Sequence, residues 1–387
     1  MKRIYLDSNA TTPVRPEVLA AMMPIFTEHF GNASSIHWFG QQAKALMDEA
    51  RQHVARLVNA EGSEIVFLSG GTEADNLAIR GIAETQKAKG RHVITSRIEH
   101  HAVLHTCKDL EKQGYEITWL PVSREGLVDP NDVRTALRPD TILISVMHAN
   151  NEIGTIQPIE EIGKTAEEAD VYFHSDGVQS TGKIFVDVRK LKVDLYSMSS
   201  HKIHGPKGIG ALFVKKGTIL KPTMTGGGHE RNRRSGTENV AGIVGFGEAA
   251  RLALEGLKTE MPRVRELRDR LEAGLRSRIE FMHVNGESAP RLPNTSNIMV
   301  DYAEGEGLVI SLDLKGVAVS TGSACSSGSL EPSHVLTAIG KTPDEAHGSL
   351  RFSLSSMTGQ EDVDYVIQTL PGIVERLREL SPYYKRG

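Results

Sequence analysis

Lys202 stands in Ser199-Ser200-His201-Lys202-Ile203-His204-Gly205-Pro206, a polar stretch between two runs of strand character at 194–198 and 209–214. A lysine so placed suits imine chemistry: partial burial eases loss of its proton, and the neutral amine condenses with an aldehyde. Ser199 and His201 beside it can hold an anionic group carried by that aldehyde. A second stretch, Ser69-Gly70-Gly71-Thr72-Glu73-Ala74-Asp75-Asn76, follows an apolar run and opens a helical pattern. Free N–H groups at a helix start, two glycines and the Thr72 hydroxyl together suit a phosphate. The glycine spacing is neither that of a P-loop nor that of a dinucleotide fingerprint. Asp176, in His174-Ser175-Asp176-Gly177-Val178-Gln179, closes another apolar run, where a carboxylate can keep a ring nitrogen protonated. Gln179 reaches the same ligand if a short turn follows. His100, after the run at 92–95, can stack on a flat ring or move protons, and Asn150-Asn151 supply amides at a third run's end. Singly, each has a plain structural explanation, such as a glycine turn or a solvated lysine. Together, a phosphate loop, a ring acid and an imine lysine are the parts of a pyridoxal phosphate site.

Cys325 lies in Ser320-Thr321-Gly322-Ser323-Ala324-Cys325-Ser326-Ser327-Gly328-Ser329, ten residues with no bulky apolar side chain. Little packing restrains such a loop, so its thiolate can approach a cofactor-bound substrate, attack sulfur and carry a persulfide outward. Cys107, beside Leu104 and Leu110 in a helical pattern, reads instead as a small buried hydrophobe.

The elements that must hold these residues alternate. Helical spacing at 16–30 and 39–58 precedes strands at 65–68, 92–95, 117–120, 141–146 and 171–173, with helices at 72–89, 102–113, 132–137 and 159–169 between them. Near-continuous apolar strands alternating with helices predict a mostly parallel sheet covered on both faces, which places the chemical residues at strand ends. A long helical region at 238–279 is expected to bend or break near Pro262. Strands at 295–300, 316–320 and 349–353 and helices at 306–314 and 363–380 complete a smaller α+β part.

At 387 residues, two domains are expected: 15–258 as a large cofactor-binding domain, and 1–14 with 259–387 as a small domain carrying the cysteine loop at about 320–330. The net charge of −4 argues against a nucleic-acid partner, and Arg231, Arg233 and Arg234 form only a local basic cluster. No run of 18 apolar residues is present, so no membrane span is expected. Two distant cysteines make no disulfide framework and, with no signal-peptide pattern, point to the cytoplasm. The 15 histidines show no HExxH spacing and the cysteines no CxxC, so no metal site is expected.

Leu6-Asp7-Ser8-Asn9-Ala10-Thr11-Thr12, Ser69-Gly70-Gly71-Thr72-Glu73, Ile98-Glu99-His100, Asn150-Asn151-Glu152-Ile153-Gly154, Ser200-His201-Lys202, Arg233-Arg234-Ser235-Gly236-Thr237-Glu238-Asn239 and 322–335 resemble NifS/IscS-type cysteine desulfurases over essentially the whole chain. The resemblance implies the aspartate-aminotransferase-like fold (PLP fold type I), a homodimer, L-cysteine as substrate, and a sulfur-acceptor or iron–sulfur scaffold protein as partner. It implies that Lys202 binds pyridoxal 5′-phosphate as an imine and shuttles the substrate Cα proton. Asp176 would pair with the ring nitrogen, Gln179 with the ring hydroxyl, and His100 would lie against the ring. Gly71, Thr72, Ser199 and His201 would hold the phosphate, with Thr237 reaching across from the other subunit. Asn151 and Arg351 would bind the substrate carboxylate, and Cys325 would take the sulfur. Ser8 stands where the family commonly has Asn, and Gly177 where Ala is frequent. A selenocysteine lyase or an aminotransferase of the same fold is the nearest alternative, the latter giving Cys325 no role; a catalytically dead docking scaffold would be colourless.

Overall fold

The structure, a computed structural model, describes residues 3–322, 332–381 and 384. A short strand, β1 (Ile4–Tyr5), is followed by a polar segment and two helices, α1 (Pro16–Thr27) and α2 (Trp38–Leu57). Then the alternation begins: β2 (Ile65–Leu68), α3 (Gly71–Thr85), β3 (His92–Ser96), α4 (His101–Lys112), β4 (Glu116–Leu120), α5 (Pro130–Ala136), β5 (Thr141–Ser145), α6 (Ile159–Glu168), β6 (Tyr172–Asp176), β7 (Leu195–Ser199) and β8 (Gly210–Val214). These strands form one seven-stranded sheet in the order β2-β8-β7-β6-β5-β3-β4. All neighbours in it are parallel except β8, which runs antiparallel to both β7 and β2.

Period-two alternation sorts the sheet's side chains onto two buried faces. In β2 and β8, Ile65, Phe67, Ala211 and Phe213 join the core beneath α2 and α7 (Val240–Gly256, preceded by the short strands β9, Gly228–His229, and β10, Arg234–Ser235). Val66, Leu68, Leu212 and Val214 join the opposite core beneath α3 and α4, where Cys107 is fully buried and its thiol pKa is pushed up by that burial.

The chain then continues through α8 (Glu260–Arg276), β11 (Met282–Val284), β12 (Thr295–Val300), α9 (Gly305–Leu314), β13 (Val317–Ala318), β14 (Ser320–Thr321), α10 (His334–Ala338), α11 (Pro343–His347), β15 (Ser349–Ser353) and α12 (Gln360–Leu380). A four-stranded antiparallel sheet, β11-β12-β15-β14, packs with α8, α9 and α12 around a third core. That core takes Ile4 and Leu6 from the start of the chain and otherwise only residues beyond 260.

Three expectations need adjustment. The helical region breaks at 257–259, before Pro262, which sits third in α8, where its missing N–H would have no helical acceptor anyway. The strand expected over 316–320 is two strands, because the chain changes partners: β13 pairs with β1 and β14 with β15. The β9–β10 hairpin and the five-residue helices α10 and α11 are too short to show a period.

Two interactions hold the strand ends in place. Arg51 on α2 clamps Glu230 with both guanidinium nitrogens (2.7 Å each) and lies over the Phe67 ring, while Glu230 accepts from the Phe67 N–H (2.9 Å). This fastens Glu230, Arg231 and Asn232, three consecutive non-glycine residues at positive φ (45°, 58° and 63°). Glu99 lies between the ends of β3 and β5, accepting from the Ser96 hydroxyl and the Met147 N–H (2.9 Å). Burial raises its pKa to about 8 against the pull of those donors.

Glu230→Ala would leave a buried guanidinium unpaired and is expected to cost about 3–5 kcal/mol by denaturant unfolding; a loss under about 1 kcal/mol would contradict the clamp. The proton on folded Glu99 persists where the unfolded carboxyl ionises, so its stabilising contribution is complete below about pH 4.5 and is lost as pH rises through about 8. Glu99→Gln, which cannot ionise, should therefore gain on the wild type by about 1 kcal/mol or more between pH 5 and 8; parallel pH–stability curves would contradict this.

Candidate active site

Because β8 is reversed against both its neighbours, β2, β3, β5, β6 and β7 all end on the same edge of the sheet, the edge at which parallel α/β sheets bind ligands. Off this edge come Gly70-Gly71-Thr72, His100, Met147 to Asn151, Asp176 to Gln179, and Ser199 to Lys202. They surround a cavity of about 340 Å³ lined by Gly71, Thr72, His100, Asn151, Asp176, Gln179, Ser199, His201, Lys202 and Arg351, all expected from the sequence, together with Asn9, Ala10, Asp75, Met147 and Val178.

Lys202 follows β7 in a single 3-10 turn, Ser200–Lys202. Its Nζ donates to the carbonyls of Asn9 and Ala10 (2.8 Å to the latter). The turn is held by the N-terminal segment: the Thr12 N–H and hydroxyl both reach the His201 carbonyl (3.0 and 2.8 Å), and the His204 N–H donates to the Thr12 hydroxyl (2.8 Å). His201 itself bonds through Nδ1 to the Thr11 hydroxyl (3.1 Å), and burial together with Lys202 lowers its pKa to about 4.

Asp176 ends β6 fully enclosed, with Oδ1 accepting from the Val178 N–H (2.9 Å). Burial, and then the neighbouring Asp75 carboxyl, raise its pKa to about 7. Asp75, on α3, is raised to about 7 by burial against a hydrogen bond from Ser197, and its Oδ1 lies 3.5 Å from His174 Nε2. An atom each of Asp75, His100 and Asp176 lies within 4.8 Å of the others. His100 caps α4 by accepting the Ala102 N–H at Nδ1 (3.1 Å). Burial and the Lys202 charge lower its pKa to about 4, so at neutral pH it is uncharged with its proton on Nε2.

The start of α3 has no side-chain cap, and Gly70 bears open space on its Cβ side. A Cβ on Gly71 would come within 2.7 Å of a Val178 methyl. Beside the main cavity, a second recess of about 480 Å³ shares Gly71, Thr72, Ser199 and His201 and adds Lys207. The glycine at 177 has a local cause: a Cβ there would lie 1.9 Å from Cζ of Tyr196, whose hydroxyl bonds His148 Nδ1 (2.8 Å).

Arg351, on β15, is buried; Nη2 donates to Asp7 (2.7 Å), Nη1 to the Asn151 carbonyl (3.2 Å), and Nε has no partner. Thr237 is exposed between β10 and α7 and does not line the cavity. Cys325 and most of its loop, 323–331, lie outside the described residues. The residues bordering it are anchored near the site. Gly322 N–H donates to the Ser349 carbonyl (3.2 Å), Ser333 donates to buried Glu152, and His334 Nε2 bonds the carbonyl of Glu99, next to His100 (2.9 Å).

Sequence reasoning missed Asn9, Asp75 and Lys183 as site residues. Asp75 had a signal, an acid within the buried apolar face of α3; Lys183 had none.

The aminotransferase class-V family profile matches residues 4–366. The chain is 54% identical to a cysteine desulfurase IscS of Dictyoglomus turgidum over 99% of this chain and 98% of that one. It is likewise 54% identical to the IscS of Methanosarcina thermophila, over 98% and 94%. Among solved structures, a NifS-like protein superposes with a TM-score of 0.90 at 37% identity, covering 97% of this chain and all of that one. SspA in complex with cysteine gives 0.82 at 37% identity, over 92% and 100%. With that sequence identity and that shared fold, the chain belongs to the aminotransferase class-V family, and within it to the cysteine desulfurases of the NifS/IscS type.

Proposed function

We propose that the chain is a pyridoxal 5′-phosphate-dependent cysteine desulfurase. It takes L-cysteine, returns L-alanine, and moves the sulfur to Cys325 as a persulfide for acceptor proteins such as an iron–sulfur scaffold. One observation carries this reading: Lys202, Asp176, His100, Gly71, Thr72 and Arg351 border a single cavity. The cavity's chemistry fits the cofactor: uncapped N–H groups at the start of α3 for a phosphate, a buried acid for a ring nitrogen, and Arg351 Nε left without a partner.

Bound there, the cofactor supplies an aldehyde and an electron sink that make the substrate Cα–H acidic. The chain's own groups do the rest. Lys202 would hold the aldehyde and, once displaced by the substrate, its amine would take and return the Cα proton. Asp176 would hold the ring nitrogen by a charge-assisted bond. His100, uncharged and with Nδ1 occupied by the Ala102 N–H, would face the ring with its Nε2 proton free to donate. Gly71, Thr72, Ser199 and His201 would bind the phosphate, and Gln179 the ring hydroxyl. Arg351 and Asn151 orient the substrate carboxylate, with Asp7 fixing the guanidinium. The Cys325 thiolate attacks the substrate sulfur, so that the substrate carbon keeps the bonding pair and, once protonated, leaves as alanine.

We also read residues 15–258 as the cofactor-binding domain, and 1–14 with 259–387 as the domain carrying the cysteine loop; the separate core that joins Ile4 and Leu6 to residues beyond 260 supports this. A homodimer with Thr237 completing the partner's phosphate site is supported by exposed Leu19, Met23, Phe26, Phe30, Ile36 and Trp38. The loop between α1 and α2 in this apolar surface bonds the β9 end of the Thr237 hairpin through Ser34 and His229 (3.4 Å). A reactive thiol needs a reducing compartment, which supports a cytoplasmic location.

The direct test is an absorbance scan of purified protein before and after L-cysteine, with alanine and bound sulfur quantified. Cys325→Ser should keep the cofactor's visible absorbance yet lose sulfide release by about 100-fold or more; retained turnover would remove the cysteine from the mechanism. Arg351→Gln should raise KM for L-cysteine by about 10-fold or more through loss of a charge-assisted pair, with cofactor uptake unchanged. An unaltered KM would place the substrate carboxylate elsewhere.

A further inference from the structure

Lys183 belongs to no role assigned above, yet its amine is enclosed in the site's wall, four residues after Gln179. Nζ donates to Gln179 Oε1 (2.7 Å) and to Asn9 Oδ1 (3.1 Å). Among the described residues it has no salt bridge; the charged groups acting on it are Lys202 and Arg351, both cationic. Burial and those two charges lower its pKa well below the ordinary lysine value. An amine is costly in such a place, and its hydrogen bonds are what hold it there.

A glutamine amide has two chemically opposite ends of nearly equal shape, so which end faces a ligand is decided by its other partners. Charged or neutral, the Lys183 amine has N–H groups to donate, and the Gln179 atom it meets is the oxygen, while the amide's other end faces a carbonyl that can only accept. With Lys183 on one side, the oxygen of Gln179 is committed to the wall. Its Nε2 bonds the Asn9 carbonyl (3.0 Å), which uses one of two N–H donors. The second N–H is left for whatever occupies the cavity that Gln179 lines. The same Asn9 carbonyl accepts from Lys202, so Lys183 touches Gln179 directly and, through the Asn9 side chain, the residue on which Lys202 rests.

We propose that Lys183 is a positioning residue for the desulfurase reaction: its buried amine selects the Gln179 orientation that presents a donor to the anionic ring oxygen of the cofactor, and secures Asn9, on which Lys202 rests. The proposal rests on the functional reading above. A donor to the anionic oxygen favours the deprotonated form of the chromophore, so losing it moves the titration to higher pH.

The test uses holoenzyme and reads the pH midpoint of the cofactor's visible band, alongside kcat and KM. Lys183→Met, isosteric without a donor, should raise the midpoint by about one pH unit and lower kcat by about 10-fold, with KM for L-cysteine changed less than about 3-fold. Gln179→Leu should raise the midpoint by a similar amount. The double variant should shift no further than the larger single shift, because both remove one interaction. If Lys183→Met titrates as the wild type, or if the two shifts add, the amine does not act through Gln179. Should Lys183→Met not fold, Gln179→Leu decides, and a wild-type midpoint there overturns the proposal. A wild type that takes up no pyridoxal phosphate would overturn the functional reading as a whole, a result distinguishable from an unshifted midpoint.

Discussion

Every polar atom of Asn9 is buried and bonded, and much of the site depends on that single residue. Its N–H donates to the Ser353 hydroxyl (2.9 Å), and its Nδ2 to the Asn151 carbonyl and Thr295 hydroxyl (3.0 and 2.9 Å). Its Oδ1 accepts from Lys183 and Asn294, and its carbonyl from Gln179 and Lys202. These partners come from the seven-stranded sheet's edge loops and from β12 and β15 of the small sheet. A buried polar group left unpaired costs about 1–3 kcal/mol, so a hub of this kind fixes position more firmly than apolar contact can. The N-terminal segment therefore works as a strap that sets the height of Lys202 against the wall formed by Asp176 and Gln179.

Burial then sets the charges. Removal from water raises the carboxyls of Asp75 and Asp176 and lowers the imidazoles of His100, His174 and His201, so the charged form of each is disfavoured and the imidazoles are neutral at pH 7. Such a site suits a ligand that brings compensating charges, and under the proposed function those would be a protonated ring nitrogen for Asp176 and a phosphate for the α3 N-terminus. Arg351 Nε, buried without a hydrogen-bond partner, is where the protein alone leaves a polar group of the site unmatched.

Much of this was legible in the sequence because the strand–helix alternation is strongly periodic and chemical residues cluster where it breaks. Lys202 was visible between two apolar runs, and Gly71-Thr72 between a strand and a helix, because local chain chemistry decides both. What local pattern cannot carry is convergence over long separations. Asn9 meets Lys183, Asn294 and Ser353 across up to 344 residues, and no spacing rule connects them. The reversal of β8 was likewise hidden, since an apolar five-residue run reads the same in either direction. Gly177 became intelligible only with the Tyr196 ring beside it.

The central claim is that an aldehyde cofactor tethered at Lys202 frees sulfur which Cys325 collects. It is tested most directly by one turnover with sulfur-labelled L-cysteine in the absence of reductant, followed by peptide mapping and alanine measurement. The account predicts label on the peptide containing Cys325, in equal amount to the alanine formed. Label on the Cys107 peptide, or alanine formed with sulfide set free and Cys325 unmodified, would contradict it.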